Sequence, residues 1–398
     1  MRALLLENVH PEAERILTER GFDVELRSGA MSEDELMAAL PGVDLLGIRS
    51  ATKVTAAVLD AHPTLTAIGA FCIGTNQIDL GAASERGIAV FNAPFSNTRS
   101  VVELALAEII ALARRLVDRN RAMHEGVWDK SAKGSHEVRG RTLGIVGYGN
   151  IGSQLSVLAE ALGMRVVFYD VVDKLALGNA RRCDTLDELL EVAEVVSLHV
   201  DGRPGNAGIF GAEQFAKMRP RSLFLNLCRG MVVDLEALRD AITSGHVAGA
   251  AIDVFPNEPH SNAPGFESPL QNLANVIMTP HVGGSTQEAQ QDIGRFVAGK
   301  LADYAQLGST TLSVNLPAVQ TAMSGATRIL HLHHNVPGVL ARLNAVFGEH
   351  EVNVASQVLG TRGQLGYVIT DLDSAGDPGL VEELSRLDET VRVRTVQA

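Results

Sequence analysis

Thr142-Leu-Gly-Ile-Val146-Gly147-Tyr-Gly149-Asn-Ile-Gly152 is the stretch on which the fold turns. An apolar strand runs into three glycines at GxGxxG spacing, and an apolar helix over 151–162 follows at once. Gly147 permits a tight turn, Gly149 lets the backbone approach a pyrophosphate, and Gly152 lets helix and strand pack closely, while N–H groups at the helix start meet the anion. The next strand, 165–169, ends in Asp170, 18 residues past Gly152. A carboxylate there accepts hydrogen bonds from a ribose 2′-hydroxyl and repels a 2′-phosphate, which favours NAD over NADP. A glycine-rich turn that binds nothing is the alternative, and the ordered presence of strand, turn, helix and acid argues against it.

Working outward, short apolar runs alternate with amphipathic stretches over the first hundred residues, the rhythm of βαβ units and a parallel sheet. Apolar positions from Val101 to Leu116 recur at helical spacing, predicting one long helix over 100–123 with Ser100 as its N-cap. The polar segment 124–140, which carries the only tryptophan, Trp128, leads into the glycine motif. Strands and helices alternate on to Pro280, and a second helix spans 286–307. Beyond Gly308 a tether containing Gly325 precedes a strand-helix-strand-strand-helix-strand pattern. Its middle strands, 352–359 and 365–372, flank the hairpin signal Gly360-Thr-Arg-Gly363. A βαββαβ unit of this size is ferredoxin-like. The expected fold class is α/β, with doubly wound Rossmann-like units followed by this module.

Composition narrows the function. At 398 residues the chain is long enough for two or three domains. With 34 Lys and Arg against 47 Asp and Glu, the net charge of −13 disfavours nucleic acid and anionic membrane surfaces as partners. Any anionic substrate then needs a local cluster of cations. Cys72, Cys183 and Cys228 are odd in number and widely spaced, which indicates neither a disulfide framework nor a zinc site and suits a reducing cytoplasm. The apolar start of the chain is too short for a signal peptide, and no apolar run reaches membrane-spanning length.

Three charged residues stand at strand ends or loops, where open α/β sheets place their ligands. Arg229 follows the apolar strand 223–227, Glu258 lies in Asp253-Val-Phe-Pro-Asn-Glu258-Pro259, and His281 ends the strand 276–280. Oxidising a 2-hydroxy acid needs a hydride acceptor, a base for the hydroxyl proton and a cation for the carboxylate. NAD, His281 and Arg229 suit these roles, with Glu258 fixing the imidazole tautomer. Taken singly, each residue reads equally well as a surface or satisfied core group.

The glycine motif with Asp170, Asn226-Leu-Cys-Arg229-Gly-Met-Val-Val-Asp234, 251–259, and Thr279-Pro-His281-Val-Gly-Gly-Ser-Thr-Gln-Glu-Ala289 together resemble the D-isomer-specific 2-hydroxyacid dehydrogenases. Segments 48–53, 71–79 and 91–100 extend the resemblance to essentially the whole chain. The resemblance implies a substrate domain of residues 1–98 with 286–316, split around an NAD domain of 99–285, with the active site in the cleft. It makes Arg229 the substrate anchor, His281 the acid/base and Glu258 its partner. The NAD site would comprise Gly147, Gly149, Asn150, Ile151, Gly152, Asp170, Leu227, Cys228, Asp253, Gly283 and Gly284. Arg49, Ser50, Lys53, Gly74 and Asn97 would contact substrate, Lys53 supplying the charge that some relatives place at Ala51. Within the family the chain is most similar to members that oxidise 3-phospho-D-glycerate to 3-phosphooxypyruvate at the start of L-serine synthesis. Action on another 2-hydroxy acid such as 2-hydroxyglutarate, or NAD sensing without catalysis, are the alternatives.

Residues 326–398 resemble an ACT domain, a regulatory module that binds amino acids. His333, Asn335 and Asn353 match positions that hold L-serine in relatives, implying feedback inhibition by serine. Neutral donors and acceptors at a helix start suit a zwitterion. Metal binding by His331, His333 and His334 ranks lower because no carboxylate or cysteine accompanies them, and a module that only dimerises remains the plainer reading. Val336 stands where some serine-inhibited relatives carry arginine. The resemblance also implies a homotetramer through the nucleotide and ACT domains, with Trp128 near a partner subunit. Cys228 reads as a small buried residue or as a redox switch beside the nicotinamide.

Overall fold

A computed structural model of the chain describes residues 1–259, 264–374 and 378–397. It divides into two compact units, residues 1–96 with 290–398 and residues 97–289. The first unit opens with β1 (Arg2–Leu5), α1 (Pro11–Glu19), β2 (Asp23–Leu26), α2 (Glu33–Ala39), β3 (Leu45–Ile48), α3 (Ala56–Ala61), β4 (Ala67–Ala70), α4 (Leu80–Glu85) and β5 (Ala89–Phe91). The strands form a parallel sheet in the order β2-β1-β3-β4-β5. Every residue of β3, β4 and β5 is buried, as expected of parallel strands covered on both faces. Local signals start the helices: Ser32 and Glu35 form a capping box at α2, and Thr55 and Asp79 cap α3 and α4.

The second unit begins with α5 (Thr98–Arg114) and α6 (Leu116–His124). The single helix expected over 100–123 is therefore two, broken where Arg115 turns left-handed at φ 51°. Packing explains the break: α5 buries Val101, Ala105, Ile109 and Leu112, whereas α6 buries none of its residues. Ser100 is not the cap either. Asn97 takes that position, and the Ser100 hydroxyl lies 2.8 Å from Thr286 Oγ1.

The unit continues through β6 (Thr142–Val146), α7 (Asn150–Ala161), β7 (Arg165–Tyr169), β8 (Arg181–Arg182), α8 (Leu186–Val192) and β9 (Val195–Leu198). It closes with α9 (Ala212–Lys217), β10 (Ser222–Asn226), α10 (Leu235–Thr243), β11 (Val247–Ile252) and β12 (Val276–Met278). The seven strands are parallel, in the order β12-β11-β10-β9-β6-β7-β8. The chain reverses direction across the sheet at β6, the strand that feeds the glycine motif, which is where such sheets bind dinucleotides.

After α11 (Gln287–Leu307), the first unit is completed by β13 (Thr327–His334), α12 (Val339–Glu349), β14 (Val354–Arg362), β15 (Leu365–Leu372), α13 (Pro378–Arg386) and β16 (Thr390–Gln397). This is the βαββαβ order, in an antiparallel sheet β14-β15-β13-β16. β14 runs on through Gly360 to Arg362, past the hairpin signal, because Gly360 packs flush against Val319 and only Gly363, at φ 58°, is left to turn the chain.

One face of the module's sheet packs on α12 and α13 through Ile329, Val368, Leu343, Phe347 and Leu384. Leu330, Leu332, Tyr367 and Ile369 on the other face join the apolar core built around α11 and β1. Polar ties run alongside. Arg328, fully buried and bidentate with Asp371, donates to the Leu307 carbonyl, and Tyr367 donates to that of Gly308. Arg394 reaches the Ala305 carbonyl, and Arg392 those of Leu65 and Pro63. The last carbonyls of α11, which no helical N–H can reach, are thus met by the module's side chains.

Candidate active site

The glycine turn has the form a dinucleotide needs. A Cβ on Gly147 would lie 2.5 Å from the His199 carbonyl oxygen, and one on Gly152 would lie 2.2 Å from that of Gly147, so both positions demand glycine. A Cβ on Gly149 would meet nothing within 4 Å, which leaves open space beside the backbone where a pyrophosphate would sit. Gly149 also caps α7 without a side-chain hydrogen bond, so the first N–H groups of that helix, at Asn150 and Ile151, face an anion site unshielded. Asp170 is fixed at the end of β7 by N–H donors from Tyr148 at 2.8 Å and Val172 at 2.9 Å. Leu227 and Cys228, expected at the NAD site, are both buried. Burial pushes the Cys228 thiol up to about 11, which leaves almost no thiolate to oxidise and favours the structural reading of this residue.

Three consecutive strands deliver the charged residues. After β10, Asn226 accepts from the Cys228 N–H and donates to the Arg229 carbonyl, setting the turn that presents Arg229. Gly230 then packs on the Phe255 backbone, where a Cβ would approach to 2.0 Å, so this turn abuts the loop that carries Glu258. Glu258 accepts the Phe255 N–H through Oε1 at 2.9 Å and the His281 Nδ1–H through Oε2 at 2.7 Å. His281 itself is left-handed, at φ 54°. Asp253 holds the histidine loop: its carboxylate accepts from the Thr279 hydroxyl and the N–H groups of Val282 and Gly283 at 2.6–2.8 Å, and its carbonyl accepts the His281 N–H. With 1% of its surface exposed and these donors in place, Asp253 is an anchor of the loop.

The electrostatics follow from the pair. The hydrogen bond to Glu258 raises the His281 imidazole above its ordinary value, against the opposing effect of burial. Burial would raise the Glu258 carboxyl, but the His281 and Phe255 hydrogen bonds and the nearby Arg229 charge outweigh it and hold the group below its usual range. His281 Nε2, the nitrogen not engaged by Glu258, is then the atom that can exchange a proton with a substrate hydroxyl. Gly284 packs against Asn97, whose Oδ1 is buried without a hydrogen-bond partner.

In the first unit, Gln77 Nε2 donates to the carbonyls of both Arg49 and Gly74, pinning together the loops after β3 and β4. Glu7 accepts the N–H groups of Ala51 and Thr52 and shapes the segment from Arg49 to Lys53. Ser50 and Lys53 are exposed on that segment.

The module's candidate residues do not assemble within one chain. His333 is buried over Gly366, with Nδ1 donating to the His334 carbonyl and Nε2 unpartnered, and Asn335 is exposed nearby. Asn353, expected across the sheet from them, precedes Val354, which pairs with Leu372, itself opposite Thr327. That is six residues along β13 from His333, roughly 20 Å at strand rise. His331 bonds Thr390 Oγ1, and burial pushes its imidazole down to about 3.

Two acids escaped the sequence reading. Glu7 carried no motif. Glu108 did leave a signal, as a charge on the apolar stripe of Val101, Ala105 and Leu112. It is 3% exposed with both carboxyl oxygens unpartnered, and burial, then the Asp253 charge, pushes it up to about 8, so it is protonated at neutral pH.

Comparison with known proteins agrees with this geometry. A family model described as the D-isomer specific 2-hydroxyacid dehydrogenase, NAD binding domain, matches residues 106–283, and one for the AHAS small subunit-like ACT domain matches 329–392. The chain belongs to the D-isomer specific 2-hydroxyacid dehydrogenase family: it is an NAD-dependent dehydrogenase of 2-hydroxy acids with a C-terminal ACT domain. It is 48% identical to D-3-phosphoglycerate dehydrogenase of Escherichia coli (strain K12), over 99% of this chain and 97% of that one. It is 45% identical to D-3-phosphoglycerate dehydrogenase 1 of Saccharomyces cerevisiae, over 98% and 86%. Among solved structures, the TT0316 protein of Thermus thermophilus is 33% identical, with a TM-score of 0.68 over 76% of this chain and 96% of its own. NAD-dependent formate dehydrogenase from Staphylococcus aureus in complex with NAD is 25% identical, with a TM-score of 0.65 over 77% and 96%. No helix among the described residues is long and apolar enough to cross a membrane.

Proposed function

We propose that the chain oxidises 3-phospho-D-glycerate to 3-phosphooxypyruvate with NAD, the first step of L-serine biosynthesis, and that L-serine inhibits it through the ACT domain. What carries the reading is 48% identity, across 99% of the chain, to proteins named D-3-phosphoglycerate dehydrogenase. Bound NAD supplies the hydride acceptor. Arg229 grips the substrate carboxylate as a bidentate fork and polarises the C2 oxygen. Neutral His281 takes the hydroxyl proton at Nε2, and Glu258 steadies the imidazolium that results. Arg49, Ser50, Lys53, Gly74 and Asn97 are assigned to the substrate, and neither Arg49 nor Lys53 has an ion-pair partner among the described residues.

For the effector, His333 and Asn335 supply one half of a site and Asn353 of a second copy the other, because one chain holds them too far apart. The assembly is assigned as a homotetramer through nucleotide-binding units and ACT domains. Trp128 at 75% exposure, with exposed Leu116, Met123 and Val127 around α6, supports the first of these contacts. Steady-state kinetics with NAD on a panel of 2-hydroxy acids, with and without phosphate and with added serine, tests both parts. 3-Phosphoglycerate is expected to give the highest kcat/KM and serine to lower the rate. A better substrate elsewhere in the panel overturns the first part, and rates unchanged by millimolar serine overturn the second.

A further inference from the structure

The strands that carry Arg229, Glu258 and His281 at their carboxyl ends border a cavity at their amino ends. It has a volume of about 390 Å³ and lies among the starts of β10, β11 and β12 and the last turn of α5. That volume is in the range of small-molecule sites. Three arginines, Arg115, Arg141 and Arg221, are among the residues that line it, together with His136. The acids within reach are committed. Asp118 pairs with Arg115 and accepts the Asn275 N–H, and Glu194 pairs with Arg141 and accepts the Thr142 N–H. Arg221 has no ion pair and no side-chain hydrogen bond among the described residues.

Backbone conformation singles out the same residues. Arg115, Arg221 and Asn275 are all left-handed, at φ 51°, 62° and 54°, and all line this cavity. Asn275 is accounted for: asparagine tolerates the conformation, and its side chain donates to the Ala248 carbonyl at 2.9 Å. Arg115 terminates α5. No side-chain partner among the described residues offsets the strain at Arg221. Glycine would make the same turn, with its N–H to the His246 carbonyl, free of the strain a long side chain brings. What the position retains is therefore the guanidinium, held unpaired at the mouth of a cationic cavity. Apolar walls from Leu223, Ile242, Val247 and Leu273 complete it.

We propose that this cavity binds a metabolite-sized polyanion, whose carboxylate or phosphate groups pair with Arg221, Arg141 and Arg115 while its body rests on the apolar wall. The site is separate from the catalytic edge by the length of the strands, about 15 Å. It does not depend on which 2-hydroxy acid the enzyme oxidises. Calorimetric titration at low salt, with citrate in one arm and inorganic phosphate in another, is to be run on the full chain saturated with NADH. The wild type and Arg221→Gly are compared. The wild type is expected to bind one probe per chain, and Arg221→Gly to bind about tenfold more weakly for the lost charged pair. Its turnover should be unchanged and its Tm no lower, since glycine relieves the left-handed turn. The stronger arm tells whether carboxylates or a phosphate are preferred. Equal binding by both proteins would place the anion elsewhere, the catalytic edge included, and would overturn the proposal. So would absence of binding to the wild type at roughly 10 mM of either probe.

Discussion

At the carboxyl edge of the seven-stranded sheet, one chain by itself positions three charged residues: Asn226 sets the turn of Arg229, Asp253 holds the histidine loop, and Glu258 orients His281. In the ACT domain, by contrast, His333 and Asn335 stand at one end of the four-stranded sheet and Asn353 at the other. The difference separates two demands. A chemical step gains from groups already in place when substrate arrives. A regulated response needs a site whose completion is conditional, so that occupancy can shift a population.

The largest expected effect tests the first half of that contrast. His281→Ala should lower kcat about 10³-fold, as loss of a general base does, while NAD affinity, followed by fluorescence titration, stays close to wild type. Retention of most of the turnover would mean the edge is not assembled for proton transfer. Next comes Glu258→Gln, which keeps the shape and removes the charge. It should lower kcat about 10²-fold and move the pH profile. Only neutral His281 accepts the hydroxyl proton, so in the wild type the oxidation rate climbs through a value above 6.5, the ordinary one for histidine. Without the carboxylate this acid limb should fall back toward that value. A limb that does not move would show that Glu258 does not set the imidazole.

Asp170→Ala should weaken NAD about tenfold for the loss of charge-assisted hydrogen bonds, with kcat at saturating NAD little changed. The smallest effect on turnover, and the one that addresses the second half of the contrast, is expected of Asn353→Ala and Asn335→Ala. Each should keep full turnover and lose its response to serine. Mixed assemblies of the two variants should regain part of that response, because one of the two shared sites is then intact. A mixture as unresponsive as its components would place the whole effector site within one chain.

Much of this was legible in the residue order. The strand, turn and helix of the glycine motif fell where expected because a local steric code specifies them, and the Arg229, Glu258 and His281 positions followed from strand ends. What escaped depends on neighbours distant in sequence. The break at Arg115 is set by what α5 packs on and α6 does not. The role of Asp253 lies in donors near residue 280. Arg328 carried no signal, since nothing in its sequence surroundings names Asp371 or the Leu307 carbonyl as partners. Asn353 matched a family position, yet strand register alone shows which residues it can reach.

The grip of Arg328, Tyr367 and Arg394 on the end of α11 bears on how separable this protein is. A chain cut near residue 320 would bare Leu301, Tyr304 and Ala305 to water and return three helix-end carbonyls to solvent at the same stroke. The ACT domain is therefore no detachable accessory. To shed or exchange it, evolution or an engineer would have to rewrite the surface of α11 as well, so the two parts are expected to be inherited together.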